Sequence, residues 1–108
     1  MLPKNIKGFF EFLLLTTIAT EPMYSKEIIE RFNQVGISIT PGTLYPILNR
    51  LKKEKMLEAS TQETDFGGVR KYYSITKIGN KRLENLNTQW NELSQQVHKL
   101  RRKPYLDR

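Results

Sequence analysis

The chain contains no cysteine, so it can form neither a disulfide framework nor a thiolate metal site. Its single histidine, His98, has no second imidazole with which to hold a metal ion. Acidic residues are in deficit, 11 against 18 lysines and arginines. The candidate acids and bases, Glu27, Glu30, Asp65 and His98, stand at no spacing that brings a nucleophile to one of them, so no catalytic residue emerges and an enzyme is not expected. Long apolar runs are missing as well. The greasiest stretch, Phe9–Ala19, has 11 residues and includes Glu11, short of the roughly 20 that cross a bilayer. It leads straight into the most patterned part of the chain rather than to a cleavage site. The expectation is a cytoplasmic protein with no membrane partner.

What is present is a net charge of +7 on 108 residues. That length suits one domain with one modest core, and the charge favours a polyanionic partner. Four helical segments and one hairpin account for nearly the whole chain. Pro3 suits the first turn of a helix running to about Thr20. In it Ile6, Phe9, Phe10, Leu13, Leu14 and Ile18, widened by Phe12 and Leu15, leave most of the circumference apolar, as in a helix buried on two sides. Pro22 breaks it. Ser25 is the expected N-cap of a second helix with Ile28, Ile29, Phe32 and Val35 on one side, stopped by Gly36. A third helix opens at Thr40-Pro41, or at Thr43, which would place Pro46 harmlessly in the first turn. A strand from Met56-Leu57 to about Glu63, turn residues Asp65–Gly68 and a returning strand Arg70–Ile75 follow. Thr76 then caps a fourth helix to about Lys99.

This order describes a mostly α fold with a β-hairpin wing, a winged helix-turn-helix with a C-terminal helix. Residues 1–76 would form the DNA-binding unit including the N-terminal helix, 77–100 a dimerisation helix, and 101–108 a frayed basic tail. The third helix carries the functional argument. At 100° per residue Leu44, Ile47, Leu48 and Leu51 fall on one side, while Gly42, Pro46, Asn49, Arg50 and Lys53 fall opposite, with Tyr45 and Lys52 on the flank. The outer side is positive, carries an amide able to read base edges, and starts with small residues that permit close approach. Arg50 or Lys53 could donate to guanine, Asn49 could pair with adenine, and Thr43 and Tyr45 suit phosphates. With Thr40 at the helix start, and Gly68, Arg70 and Lys71 on the hairpin, these residues form the expected contact set for double-stranded DNA. Of Tyr72 and Tyr73, alternation sends one to the core. A winged helix used only for protein–protein contact is the alternative, and the positive outer face counts against it.

In the fourth helix Leu83, Leu86, Trp90, Leu93, Val97 and Leu100 follow spacings of three and four without a break, the stripe of a helix–helix seam. Together with the over-apolar first helix it implies a two-fold homodimer, with Leu86, Trp90, Leu93 and Val97 of one subunit against Phe9, Phe10 and Leu13 of the other.

Three blocks, Glu21–Ile28, Pro41–Pro46 followed by Arg50-Leu51, and Gly67–Thr76, resemble the PadR family of bacterial transcriptional regulators. The likeness covers about residues 8–83, and the single C-terminal helix with a central tryptophan is similar to the small subgroup that includes multidrug-responsive repressors. The resemblance implies a homodimeric repressor on an inverted repeat, the fourth helix paired with the partner's first. It also implies a small hydrophobic or cationic aromatic effector bordered by Trp90, for which aromatic walls are suited. The chain departs from the pattern in three places. Ser25 and Lys26 replace a glycine and an aromatic, which bears on phosphate contacts beside the second helix, where Lys26 is an expected DNA contact. Lys55 replaces the glycine that usually ends the third helix, so either a lysine adopts the left-handed cap or the helix ends differently. Val69 and Ser74 stand at often basic wing positions.

Overall fold

The computed structural model describes residues 6–102. In it α1 (Ile6–Ile18), α2 (Ser25–Gln34) and α3 (Pro41–Lys53) precede a hairpin of β1 (Leu57–Glu63) and β2 (Val69–Ile75), and α4 (Lys77–Arg101) closes the chain. The expected helix start at Pro3 and the tail from residue 103 lie outside the described residues. One core joins the apolar faces that periodicity singles out: Leu14, Leu15 and Ile18 from α1, Ile28 and Phe32 from α2, Leu44, Ile47, Leu48 and Leu51 from α3, and Leu57 and Tyr73 from the hairpin. Each such side chain contributes about 1.5–3 kcal/mol on burial. Among the described residues no helix is long and apolar enough to cross a membrane.

The helix ends decide how the motif is aimed. α1 stops two residues early, because Thr20 donates from its backbone N–H and its Oγ1 to the Thr17 carbonyl, at 3.3 and 2.8 Å, and tightens the last turn. The cap of α2 is Tyr24, not Ser25. Met23 exchanges two backbone hydrogen bonds with Tyr73, at 3.0 and 2.8 Å, which keeps the chain extended through Tyr24. Glu27 then reaches back to accept from the Tyr24 N–H at 3.2 Å, half of a capping box. Ser25 consequently lies inside the first turn. α2 ends in a Schellman motif with Gly36 at φ 83°, the Ile37 N–H donating to the Phe32 carbonyl at 2.9 Å.

α3 takes the earlier of its two possible starts. Thr40 is the cap, and the Leu44 N–H donates to its carbonyl at 2.9 Å. Pro46 is therefore inside the helix and leaves the Gly42 carbonyl without its usual donor. At the other end Lys55 does adopt the left-handed conformation, φ 64°. Its N–H bonds to the Lys52 carbonyl and the Met56 N–H to the Leu51 carbonyl, at 3.0 and 2.9 Å, a complete Schellman motif with lysine in the glycine position.

β1 and β2 pair antiparallel, Leu57 opposite Ile75 and Glu63 opposite Val69, and the Met23–Tyr73 bridge adds a one-residue third strand. Gly67, at φ 83°, makes the turn, and Thr64 closes it by donating from its N–H to the Gly68 carbonyl at 2.8 Å. Thr76 knots the hairpin to α4: its Oγ1 accepts from the Gly79 N–H at 3.0 Å and donates to the Lys55 carbonyl at 2.6 Å. α4 approaches the strand so closely here that a Cβ on Gly79 would overlap the Met56 carbonyl oxygen. Further along, α4 leaves the body, and between Asn91 and Arg101 only Leu93 is even half-buried.

Candidate nucleic-acid interface

Burial of Leu44, Ile47, Leu48 and Leu51 turns the opposite side of α3 outward, and Gly42, Thr43, Tyr45, Pro46, Asn49 and Lys53 are all exposed there, as is Thr40. The Tyr45 hydroxyl and the Ser25 hydroxyl share a hydrogen bond of 2.8 Å, which ties the first turn of α2 to α3. Tyr24, Ser25, Tyr45, Asn49, Val69, Arg70, Lys71 and Tyr73 line one groove of about 480 Å³ between the two helices and β2. Lys26 is exposed in the first turn of α2.

The strand alternation distributes the wing residues. Tyr73 points to the core and is 2% exposed; burial pushes its phenol above the ordinary value, and the Tyr45 phenol raises it further. Tyr72 and Arg70, two residues apart, share the other face. Tyr72 meets the Tyr24 ring edge-on, centroids 5.4 Å apart, and the Arg70 guanidinium lies 4.4 Å from the centre of the same ring. Such a cation–π contact contributes about 0.5–1 kcal/mol at an exposed site. Lys71 and Gly68 are exposed, and Gly68 donates its N–H to Thr64 Oγ1 at 3.0 Å. Tyr24, which sequence reasoning passed over as a site residue, is the platform on which this side of the wing rests. Its place directly after Met23, at the start of α2, was the available signal.

Arg50 is the departure from expectation. Its side chain is not directed outward with Asn49 and Lys53. Nη2 donates to Glu11 Oε1 at 2.9 Å and Nη1 to Glu54 Oε1 at 3.1 Å. The physical reason is position: Arg50 sits on the flank of α3 that faces α1, and Glu11 of α1 is 4% exposed, a buried carboxylate that must be paired. The Arg82 Nε of α4 donates to the other oxygen, Glu11 Oε2, at 2.6 Å. Glu11 was read in the sequence only as an interruption of an apolar run, yet an acid in such a run was itself a sign of a buried partner.

The expected seam is divided. Phe10, Leu13 and Leu86 pack against the core of their own chain, and Trp90 meets Phe12 of the same chain with centroids 6.5 Å apart. Phe9 at 44%, Trp90 at 49%, Val97 at 37% and Leu100 at 81% remain exposed, while Leu93 is half-buried.

Three helices with a two-stranded wing, the third helix presenting a polar and basic face beside that wing, define a winged helix-turn-helix protein with an appended long helix. Residues 14–85 match the model of the transcriptional regulator PadR-like family, and the chain belongs to that family. It is similar to a PadR-like transcription factor from Bacteroides fragilis, at 34% identity over 88% of this chain and 92% of that one, with a TM-score of 0.80. A PadR-like transcriptional regulator from Bacillus cereus is similar at 34% identity, over 90% and 95% of the two chains and with a TM-score of 0.80. The transcriptional regulator Rv3488 of Mycobacterium tuberculosis shares 27% identity over 78% of each chain.

Proposed function

We propose that the chain is a homodimeric, sequence-specific DNA-binding repressor, acting in the cytoplasm on an inverted-repeat operator. The convergence of the α2 N-terminus, the outer face of α3 and the wing on one groove carries this reading. Lys26 near the positive end of α2 is unfavourable by about 0.3–1 kcal/mol in isolation, and a phosphate at that helix end reverses the sign. Asn49 and Lys53 read bases in the major groove, Gly42 lets the backbone approach, and Thr40, Thr43 and Tyr45 hold phosphates. Gly68, Arg70 and Lys71 position the wing on the backbone without specifying sequence. Arg50, committed to carboxylates, leaves the base-reading set.

Residues 1–76 serve as the binding unit and 77–100 as the dimerisation helix. The apolar surface left open at Phe9, Trp90, Leu93 and Val97 is covered by the second subunit, together with the half-buried Phe10, Leu13 and Leu86. A small hydrophobic or cationic aromatic compound stacking beside Trp90 releases the repressor. Selection from random duplexes by the purified protein tests the reading. The expected product is an inverted repeat with half-sites one helical turn, about 10–10.5 base pairs, apart. Loss of Arg70 or Lys71 should reduce the salt slope by about one without changing the selected sequence. Absence of any enriched duplex overturns DNA recognition, a monomer in sedimentation overturns the dimer, and Trp90 fluorescence that no planar cation quenches saturably overturns the effector.

A further inference from the structure

Glu11 is the one buried charged residue among those described, and it is shared between helices that have different tasks. Its two oxygens accept from Arg50 of α3 at 2.9 Å and from Arg82 of α4 at 2.6 Å, partners 39 and 71 residues away along the chain. Arg50 is further held by Glu54, at 3.1 Å. Two carboxylates and two guanidiniums thus balance to zero, and α1 lies packed against both α3 and α4. A buried carboxylate tolerates no unpaired geometry, so a shift of α4 that draws Arg82 away must be answered by movement of Glu11 or Arg50. Arg50 projects from the same helix turn as Asn49 and one turn before Lys53.

We infer that Glu11 is a positioning residue that fixes the aim of α3 and makes it answer to α4, with Arg82 as the coupling arm. The inference rests on the reading of α3 as the DNA-reading helix. It assigns Arg82, a residue outside the groove, an effect on operator recognition, and it gives displacement of α4 a route to the bases. Coupling of this kind is a free energy between two sites carried by a defined set of contacts.

The test uses the full chain and the operator obtained by selection. Arg82→Gln should weaken operator binding about tenfold, within the 5–150-fold span of such couplings. Affinity for a random duplex and the salt slope should stay unchanged, because no phosphate contact is lost. Glu11→Gln should show the same operator-only loss, and adding Arg82→Gln to it should cost little more, since both act through one contact set. Arg82→Lys, which keeps the charge without the fixed guanidinium, should be intermediate, about threefold. If Arg82→Gln does not fold, a folded Arg82→Lys that binds the operator like the wild type overturns the inference. So does a folded Arg82→Gln that melts earlier yet binds the operator within twofold of wild type, which marks a merely structural pair. Equal losses on operator and random duplex with a smaller salt slope overturn it too, since they mark a direct or bulk charge effect. A wild-type chain with no preferred duplex overturns the underlying reading, and is distinguished by involving no variant.

Discussion

Replacing Lys55 by glycine is expected to stabilise the protein. At φ 64° an L-residue is crowded by its own Cβ, which costs about 1–2 kcal/mol. Glycine removes that crowding but has more freedom to lose on folding, about 0.5–1 kcal/mol. The net expectation is a gain of about 0.5–1 kcal/mol. Nothing else at the site opposes it. Lys55 is held through its backbone alone in the hydrogen bonds that fix this corner: its N–H to the Lys52 carbonyl at 3.0 Å, and its carbonyl to Thr76 Oγ1 at 2.6 Å. For a domain of this size the gain corresponds to a melting point higher by about 2–8 °C. Urea unfolding at constant m measures it directly, and Lys55→Ala, which removes the charge but keeps Cβ, is the control, expected within about 0.5 kcal/mol of wild type. Equal effects of glycine and alanine, or a loss with both, would refute the argument from backbone strain.

Gly79→Ala should destabilise by at least about 1–3 kcal/mol in thermal melts, because the new methyl overlaps the Met56 carbonyl and lies 2.7 Å from Ile75 Cγ1. Gly42→Ala, whose nearest neighbour is 3.9 Å away, should not. Asn49→Ala and Lys53→Ala should each weaken operator binding by about 1–3 kcal/mol with little change in stability. Arg50→Ala should cost about 1–3 kcal/mol of folding stability in addition to operator affinity, since Glu11 then keeps only Arg82; a melting point equal to wild type would contradict the buried pairing. Tyr73 has its folded pKa raised above 10.0 by burial, so the unfolded phenol ionises first. The stability this group contributes is complete below that value and is lost as pH rises through the folded pKa. Urea midpoints followed from about pH 9 to about pH 11 should therefore fall more steeply for wild type than for Tyr73→Phe.

Much of this was legible in the sequence because it depends on neighbours within a few residues. The spacing of Leu44, Ile47, Leu48 and Leu51 places them on one helical stripe in any context, and the strand period sends one of Tyr72 and Tyr73 inward, the structure showing that it is Tyr73. Gly36 and Thr76 end and begin helices through bonds that span only three to five positions. The class followed from those local patterns, and the family from the resemblance carried by three sequence blocks. The fate of charges did not, since a guanidinium on a helix flank reaches solvent or a carboxylate with equal ease, and only the packed arrangement chooses. Arg50 left the outer face of α3 because α1 brings Glu11, 39 residues earlier, within 2.9 Å. The cap of α2 moved to Tyr24 because β2, some 50 residues later, holds Met23 extended. Periodicity determines which side of an element is buried. Which polar group meets which across that burial is decided only when distant segments converge, because desolvated charges take whatever partner the fold brings nearest.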